Sequence, residues 1–257
     1  EQYFTALESA FDDTDTHYNL GVLFVSLEQL DRACDHYEKA LKTDPNHSEV
    51  NFNLGNVLQS LGQLESAIEK YKKVIEVMPG HAKAHVNLGQ ALLKLDDKKS
   101  AEYHWRQALV INNEFADAHV NLALLSFEQG NISEAWKGFE WRNKAENYES
   151  LYRHFPQPNW DGSPLNGKEI ILWGEMGLGD EILYASMIPD VLRQGGKVTI
   201  ECTQRLVPLF IRSFEGAEVY AAPYEPAEIG HRFYDFQSSF PSLGRYFRNS
   251  VGDFPSV

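Results

Sequence analysis

The chain has 257 residues, with 37 acidic and 23 basic side chains and a formal net charge of -14 at pH 7. This charge argues against nucleic acid or an anionic membrane as a partner, because both repel an acidic protein. No stretch approaches the ~20 apolar residues of a membrane-spanning helix. The two cysteines, Cys34 and Cys202, belong to no metal-ligand motif, so we expect reduced thiols and a cytoplasmic location.

The first half of the sequence repeats itself every 34 residues. Asn-Leu-Gly begins at positions 19, 53 and 87, and Asn-Leu-Ala begins at position 121. An alanine column and an aromatic column keep the same step: Ala33, Ala67, Ala101 and Ala135; Tyr3, Tyr37, Tyr71, Trp105 and Phe139. This pattern over residues 1–147 resembles the tetratricopeptide repeat, in which each unit is a pair of antiparallel helices. The resemblance implies an α-solenoid of four full repeats.

Small residues in the Gly21 and Ala33 columns should let helices approach closely, with the aromatic column filling the gap between neighbouring repeats. Gly62 and Gly130 fall in the turn between the two helices of a repeat, where glycine adopts a left-handed backbone at little cost. The same turn position holds Glu28 and Asp96 in the other two repeats.

Both ends of the repeat region depart from the pattern. The opening residues EQYFTAL match the second helix of a repeat, so we expect further repeats before residue 1 in the natural protein. A third column contains Ala6, Ala40, Val74 and Ala108. Its last member is Arg142, which breaks the apolar pattern.

Amide side chains recur on the first helix of each repeat and form the candidate binding surface. They are Asn19, Asn53, Asn87 and Asn121, with Asn56 and Gln90 three residues further along the same face. An amide offers donors and an acceptor, so a column of amides can hold an extended peptide backbone. The column resembles the asparagine ladder in the repeats of O-GlcNAc transferase. The alternative is that these amides cap or bridge neighbouring helices.

Histidines recur two residues before these asparagines, at His17, His85 and His119. Their spacing across repeats is too wide for one compact metal site. We therefore interpret them as surface or inter-helix residues, and no metal site is predicted.

The period ends at residues 155–157, where a fifth Asn-Leu-Gly would fall. Residues 148–168 contain Pro, Gly, Asn and aromatic residues and predict a packed connector. Strands are then predicted at 169–175, 197–202, 217–222 and 234–240. A helix is predicted over 180–194, and this alternation predicts a parallel α/β sheet with right-handed crossovers. The predicted fold is thus an α-solenoid (1–147) followed by a partial Rossmann-like α/β domain (169–257).

Three segments of this domain resemble bacterial tetratricopeptide proteins that carry a heptosyltransferase-like, GT-B-type glycosyltransferase domain. The segments are WDGSPLNGK (160–168), WGEMGLGDEILY (173–184) and YDFQSSFPSL (234–243). The resemblance implies that residues 169–257 are a truncated N-terminal lobe that holds the acceptor. The sugar nucleotide would be bound mostly by a second lobe, so no cofactor is expected in this chain.

The same resemblance assigns roles within the glycine-rich turn that follows the first strand. Asp180 would be the general base that takes the acceptor proton. Glu175 would position the acceptor, with Gly177 and Gly179 beside it. The spacing G-x-x-G-x-G is not the dinucleotide fingerprint, and two carboxylates disfavour a phosphate. Asp180 as a simple helix cap is the alternative.

Two departures from that family leave a second function open. Met176 stands where the family commonly has Gln, and Ser186 stands where it has Arg, which removes a cation. The sequence therefore predicts either the front part of a glycosyltransferase whose repeats present a protein or peptide acceptor, or a non-catalytic interaction scaffold with a degenerate α/β platform.

Overall fold

A computed structural model describes residues 13–146, 155–175, 177–222 and 233–254. The chain divides into two units, residues 1–125 and 126–257. The partial repeat predicted at the start of the chain lies outside the described residues, as do Tyr148, Tyr152 and Met176.

The described part of the repeat region contains eight helices in sequence. They are α1 (Thr14–Ser26), α2 (Leu30–Thr43), α3 (Ser48–Ser60), α4 (Leu64–Val77), α5 (Ala82–Lys94), α6 (Lys98–Ile111), α7 (Ala116–Glu128) and α8 (Ile132–Phe139). The odd-numbered helices begin 34 residues apart, and so do the even-numbered ones. The predicted helices of four repeats are therefore confirmed, and the two helices of each of the first three repeats pack against each other. The boundary between the two units falls inside α7.

Each of the first three helix pairs is held by a glycine that faces a buried aromatic ring. The distances from a Cβ built on each glycine to the facing ring are 2.3 Å for Gly21 and Tyr37, 2.6 Å for Gly55 and Tyr71, and 2.4 Å for Gly89 and Trp105. Real side chains do not approach so closely, so the backbone needs glycine there, although glycine in a helix interior costs about 0.5–1 kcal/mol. The predicted close approach is confirmed.

The turn between the two helices of each repeat uses a left-handed residue. The φ angles are 58° at Glu28, 76° at Gly62, 62° at Asp96 and 78° at Gly130. The predicted conformation of the two glycines is therefore confirmed. The first and third repeats adopt the left-handed conformation with Glu28 and Asp96, although a Cβ makes this conformation unfavourable.

Replacing Asp96 with glycine should raise the free energy of unfolding by about 0.5–1 kcal/mol, because glycine removes the left-handed strain but gains entropy in the unfolded chain. Urea unfolding followed by circular dichroism measures this change. The control is Lys94→Gly, at the exposed last residue of α5, which should lower the free energy of unfolding. Equal destabilisation by both substitutions would contradict the strain argument.

The second unit contains a four-stranded parallel sheet in the order β3-β2-β1-β4. Its strands are β1 (Glu169–Trp173), β2 (Lys197–Thr203), β3 (Ala217–Ala222) and β4 (Phe236–Ser239). Its helices are α9 (Leu178–Ala185), α10 (Ile188–Leu192), α11 (Val207–Ser213) and α12 (Gly244–Phe247). The predicted parallel sheet is confirmed, with its core between the helices and the apolar residues of β1 and β2.

The helix predicted over 180–194 is wrong as a single element. It is two helices, α9 and α10, that break at Ser186 and Met187. Pro189, the second residue of α10, lacks an N–H, and its ring collides with the carbonyl four residues earlier in a continuous helix. The N–H groups of Ser186 and Met187 bond instead to carbonyls three residues back.

The last repeat helix, α8, packs within the second unit. A Cβ at Gly244 of α12 would lie 2.1 Å from the Trp136 ring of α8. Trp136 Nε1 donates to the carbonyl oxygen of Arg248 over 2.6 Å. The predicted connector contributes Trp160, which is buried, and Phe155, whose ring centroid lies 5.6 Å from that of Trp173. Within the described ranges, no helix is long and apolar enough to cross a membrane.

Candidate functional site

The candidate peptide-binding surface is the amide column on α1, α3, α5 and α7. We use this name for Asn19, Asn53, Asn56, Asn87, Gln90 and Asn121. Asn19 is exposed, and the other five side chains are half-buried. The 34-residue period therefore places one or two amides per repeat at the protein surface.

Part of the amide column bridges helices of successive repeats. Asn87 Nδ2 on α5 donates to Asn56 Oδ1 on α3 over 2.8 Å. The same oxygen accepts from the Tyr71 hydroxyl over 2.9 Å. Asn53 Nδ2 lies 3.5 Å from the Tyr18 hydroxyl oxygen. The bridging role considered for these residues thus applies to Asn56 and Asn87.

The column retains hydrogen-bonding capacity beyond these contacts. A primary amide has two N–H donors and an oxygen with two lone pairs, and the contact between Asn56 and Asn87 uses one donor. Asn121 Nδ2 is buried without a hydrogen-bond partner. Gln90 and Asn121 are 31 residues apart, and so are Asn56 and Asn87. Gln90 and Asn121 therefore occupy the equivalent positions one repeat later. The use of this column for peptide binding stays a prediction.

The residue two positions before the repeated asparagine ties the first helix of a repeat to the preceding turn. The contacts are Asn51 Nδ2 to the Pro45 carbonyl over 3.1 Å, His85 to the Pro79 carbonyl, and His119 Nε2 to the Asn113 carbonyl over 2.8 Å. Each carbonyl lies six residues before its donor. His85 and His119 therefore have a structural contact in common.

Two pairs of histidines, unrecognised in the sequence, face each other within helix pairs. His17 Nδ1 lies 3.0 Å from His36 Nδ1, and His85 Nδ1 lies 3.0 Å from His104 Nδ1. The residues of each pair are 19 positions apart, and the two pairs are two repeats apart. A recurrence at twice the period is the sequence signal that would have found them.

The pair in the third repeat should make the protein less stable in mild acid. Burial, with His85 and Lys72 nearby, lowers the pKa of His104 to about 4 despite the opposing charge of Asp97. Burial also lowers the pKa of His85, helped by His81 and opposed by its hydrogen bond to Pro79. Between pH 6.5 and 4 the unfolded chain therefore binds more protons than the folded one, so stability falls as the pH falls.

From pH 7 to 5 we expect the free energy of unfolding to fall by about 1–2 kcal/mol on account of this pair, after discounting for partial solvent screening. Urea unfolding at a series of pH values, in buffers containing EDTA, measures this fall in the free energy of unfolding. His104→Gln should flatten the profile in this range. An equal slope in the wild type and the variant would show that other groups cause the acid sensitivity.

In the second unit, Glu175 is buried in an ion pair with Arg142, the residue that breaks the third repeat column. Glu175 Oε1 accepts from Arg142 Nε over 2.8 Å and from Nη2 over 2.5 Å. Arg142 also donates to the hydroxyls of Ser239 and Ser242, each over 2.9 Å, and to the Glu140 carboxylate over 3.1 Å. This arrangement neutralises the carboxylate that was predicted to position an acceptor.

This network occupies the point in the sheet where ligands commonly bind. In the order β3-β2-β1-β4, the connection reverses direction between β1 and β4. Open α/β sheets bind ligands outside the carboxyl ends of strands at such a point. Here Glu175 follows β1, Ser239 ends β4, and Arg142 links them. The protein's own side chains therefore occupy part of this corner, beside a cavity lined by Arg142, Trp173 and Gln237.

The glycine-rich turn begins α9, and one of its amides is bonded within the turn. Gly177 is the N-cap residue, and its N–H donates to Asp180 Oδ2 over 3.2 Å. Asp180 is half-buried at the third helical position, while Gly177 and Gly179 are exposed. Asp180 thus makes one of the two contacts of a capping box, since the glycine N-cap has no side chain to make the other. The catalytic and substrate-binding roles of these residues stay predictions.

The turn also makes room for another carboxylate. A Cβ at Gly174 would lie 2.5 Å from Glu181 Cδ. The Glu181 carboxylate accepts from the Thr203 N–H over 2.9 Å and from its hydroxyl over 2.6 Å. The turn therefore holds the side chain that links α9 to the end of β2.

Family models described as tetratricopeptide repeat or TPR repeat match residues 14–47, 36–69 and 56–96. The chain contains tetratricopeptide repeats. FlbA of Caulobacter vibrioides is 35% identical to it over 95 residues, which are 36% of this chain and 16% of FlbA. The chain therefore spans under one fifth of the length of that relative.

Solved structures agree with the repeat fold. A crystal structure of MamA superposes with a TM-score of 0.52 at 20% identity, covering 58% of this chain and 88% of MamA. The MamA RS-1 ArsTM double mutant gives 0.50 at 22% identity, covering 56% and 80%. At these identities the likeness shows the fold alone. The likeness of residues 158–247 to a glycosyltransferase lobe stays a prediction.

Proposed function

We propose that this tetratricopeptide repeat protein binds an extended segment of a partner protein along the amide column, and that the second unit is a non-catalytic platform. The proposal is carried by the recurrence of an amide at one helix position in all four repeats, exposed in the first and half-buried in the other three. A periodic row of donors and acceptors matches the periodic N–H and C=O groups of an extended backbone. The net charge of -14 favours a neutral or basic partner segment.

The state of the amides supports this function. Asn121 Nδ2 lacks a partner, and a buried donor without one costs about 1–3 kcal/mol. A small rearrangement that brings a peptide carbonyl to this group would recover that free energy on binding. Asn87 and Asn56 are held in place by each other and by Tyr71, so little side-chain entropy is lost when a ligand binds.

The test is selection of binders from a displayed library of random peptides, followed by fluorescence anisotropy with the enriched peptides. Asn87→Ala and Asn121→Ala should each raise Kd at least tenfold. The matched control is Asn113→Ala, an exposed asparagine in a turn outside the amide column. Methylating the backbone nitrogens of the peptide should weaken binding more than replacing its side chains with alanine.

Two results would refute the proposal. One is a peptide whose affinity is the same for the wild type and the two amide variants. The other is sensitivity of binding to peptide side chains but not to backbone methylation, which would show that the repeats read sequence rather than backbone.

The second candidate function is glycosyl transfer by a longer protein, with a sugar nucleotide as cofactor and a peptide acceptor delivered by the repeats. One observation favours it: Asp180 is half-buried beside the carboxyl ends of a parallel sheet. Two contacts count against it, because Arg142 neutralises Glu175 and Asp180 accepts the Gly177 N–H. We therefore place it second.

Turnover of several sugar nucleotides by the full-length natural protein tests this candidate. Asp180→Asn should abolish transfer if Asp180 is the base, whereas Asp190→Asn, which changes an acid on α10, should not. Transfer that persists in Asp180→Asn removes this residue from the mechanism.

A further inference from the structure

We propose that His85 and His104 form a binding site for a late first-row divalent cation, Ni(II) or Cu(II). His85 lies on α5 and His104 on α6, the two helices of the third repeat. Their Nδ1 atoms are 3.0 Å apart, and their ring centroids are 5.2 Å apart with planes inclined by 39°. The site is independent of the amide column.

The contacts of His85 leave its Nδ1 as the ligating nitrogen. Its Nδ1 faces His104, so Nε2 is the nitrogen that donates to the Pro79 carbonyl. Metal-binding histidines commonly donate their second ring N–H to a carbonyl in this way. The neutral His85 ring therefore has a lone pair on Nδ1, and His104 Nδ1–H donates to it.

A cation would replace this internal hydrogen bond. It forms bonds to both Nδ1 atoms and loses two of its water ligands, after small rotations of the two rings. The His104 proton moves from Nδ1 to Nε2, so the protein gains and loses no proton at neutral pH. The half-buried His104 gives the cation its route to solvent.

The separation of the two nitrogens selects the geometry. With metal–nitrogen bonds of about 2.0–2.1 Å, nitrogens 3.0 Å apart subtend about 90–100° at the metal. This angle suits adjacent positions of tetragonal Ni(II) or Cu(II), whereas a tetrahedral zinc site needs a separation of about 3.3–3.4 Å. Within the described ranges no cluster of three His, Cys, Asp or Glu residues is placed to hold a metal. Water therefore completes the coordination.

The repeats themselves show that the fold does not require the pair. The same geometry recurs at His17 and His36, with Nδ1 atoms 3.0 Å apart. In the second repeat the equivalent positions hold Asn51 and Lys70, and in the fourth they hold His119 and Gly138. The helix pair of the second repeat thus forms without facing histidines.

The test is titration of untagged protein with NiCl2 and CuCl2 in a non-chelating buffer, by calorimetry and electron paramagnetic resonance. His104→Gln should remove one bound ion per chain or weaken that site at least tenfold. The matched control is His119→Gln, which changes a histidine at the same helix position whose partner position in the sequence holds Gly138 instead of a histidine. His36→Gln reports separately on the pair in the first repeat.

Supporting results are two nitrogen couplings in the Cu(II) spectrum of His36→Gln that fall to one or none when His104→Gln is added, and a binding enthalpy at pH 7.5 that does not depend on the buffer. Circular dichroism checks that the variants are folded. The proposal is overturned if folded His104→Gln binds the ions as the wild type does, or if His119→Gln loses as much affinity as His104→Gln.

Discussion

Replacing Arg142 with methionine should lower the free energy of unfolding by about 3–5 kcal/mol, the cost of leaving a buried charge without its partner. Glu175 would lose both of its short contacts with the guanidinium, at 2.8 and 2.5 Å. Both side chains are almost fully buried, with 5% and 4% of their surfaces exposed. Urea unfolding at pH 7 measures the change.

A second substitution separates the uncompensated charge from the loss of packing. Arg142→Met combined with Glu175→Leu should recover at least half of the lost free energy, because a buried ion pair can be replaced by apolar groups at little cost. The exposed pair of Arg106 and Glu102 on α6 is the control. Arg106→Met should change stability by less than about 1 kcal/mol.

The outcome bears on the proposed function as well as on stability. If Arg142→Met combined with Glu175→Leu is as unstable as the sum of the two single variants, Glu175 is not held mainly by Arg142. The carboxylate would then be available to a ligand at the sheet edge, which the glycosyl transfer candidate needs. Partial recovery supports the structural role.

The solenoid could be predicted in detail because the same residue types recur at the same positions of every repeat. One glycine and one aromatic residue in a sequence do not show that two helices touch. Three such pairs, each 34 residues from the next, indicate which helices are in contact. The same redundancy identified the left-handed turn, where Gly62 and Gly130 revealed the conformation that Glu28 and Asp96 also adopt. The parallel sheet followed from strand–helix alternation and needed no knowledge of contacts.

The environment of the carboxylates could not be predicted from the sequence. The break at Arg142 was visible, but its partner lies 33 residues away and outside the periodic region. Whether Glu175 faces solvent or a guanidinium depends on three-dimensional packing. The break between α9 and α10 was missed for a different reason, since the apolar pattern continues through it and Pro189 alone marks it.

The histidine pairs lie between these two cases. Their 19-residue spacing recurs two repeats apart, which the period could have revealed. What the period does not give is the direction of each ring across the interface of two helices. That direction depends on the contact with the turn carbonyl at Pro79.

Gly55→Val should lower the free energy of unfolding by about 1–3 kcal/mol, and by more if the aromatic ring cannot move. A Cβ at Gly55 lies 2.6 Å from Tyr71 Cε1. Tyr71 is fully buried, and its hydroxyl is bonded to Asn56 and Gln59, so the ring has little freedom to shift. Thermal and urea unfolding of the variant measure the loss.

The fourth repeat supplies the matched control, because Ala123 occupies this column there and the aromatic residue is Phe139. Ala123→Gly should cost only about 0.5–1 kcal/mol, the usual penalty for glycine inside a helix. Gly55→Ala should cost more than this although alanine is the better helix former, since the ring contact outweighs propensity. If Gly55→Ala stabilises the protein instead, Gly55 does not pack closely enough against Tyr71 to exclude a Cβ. The glycine column would then reflect something other than close packing.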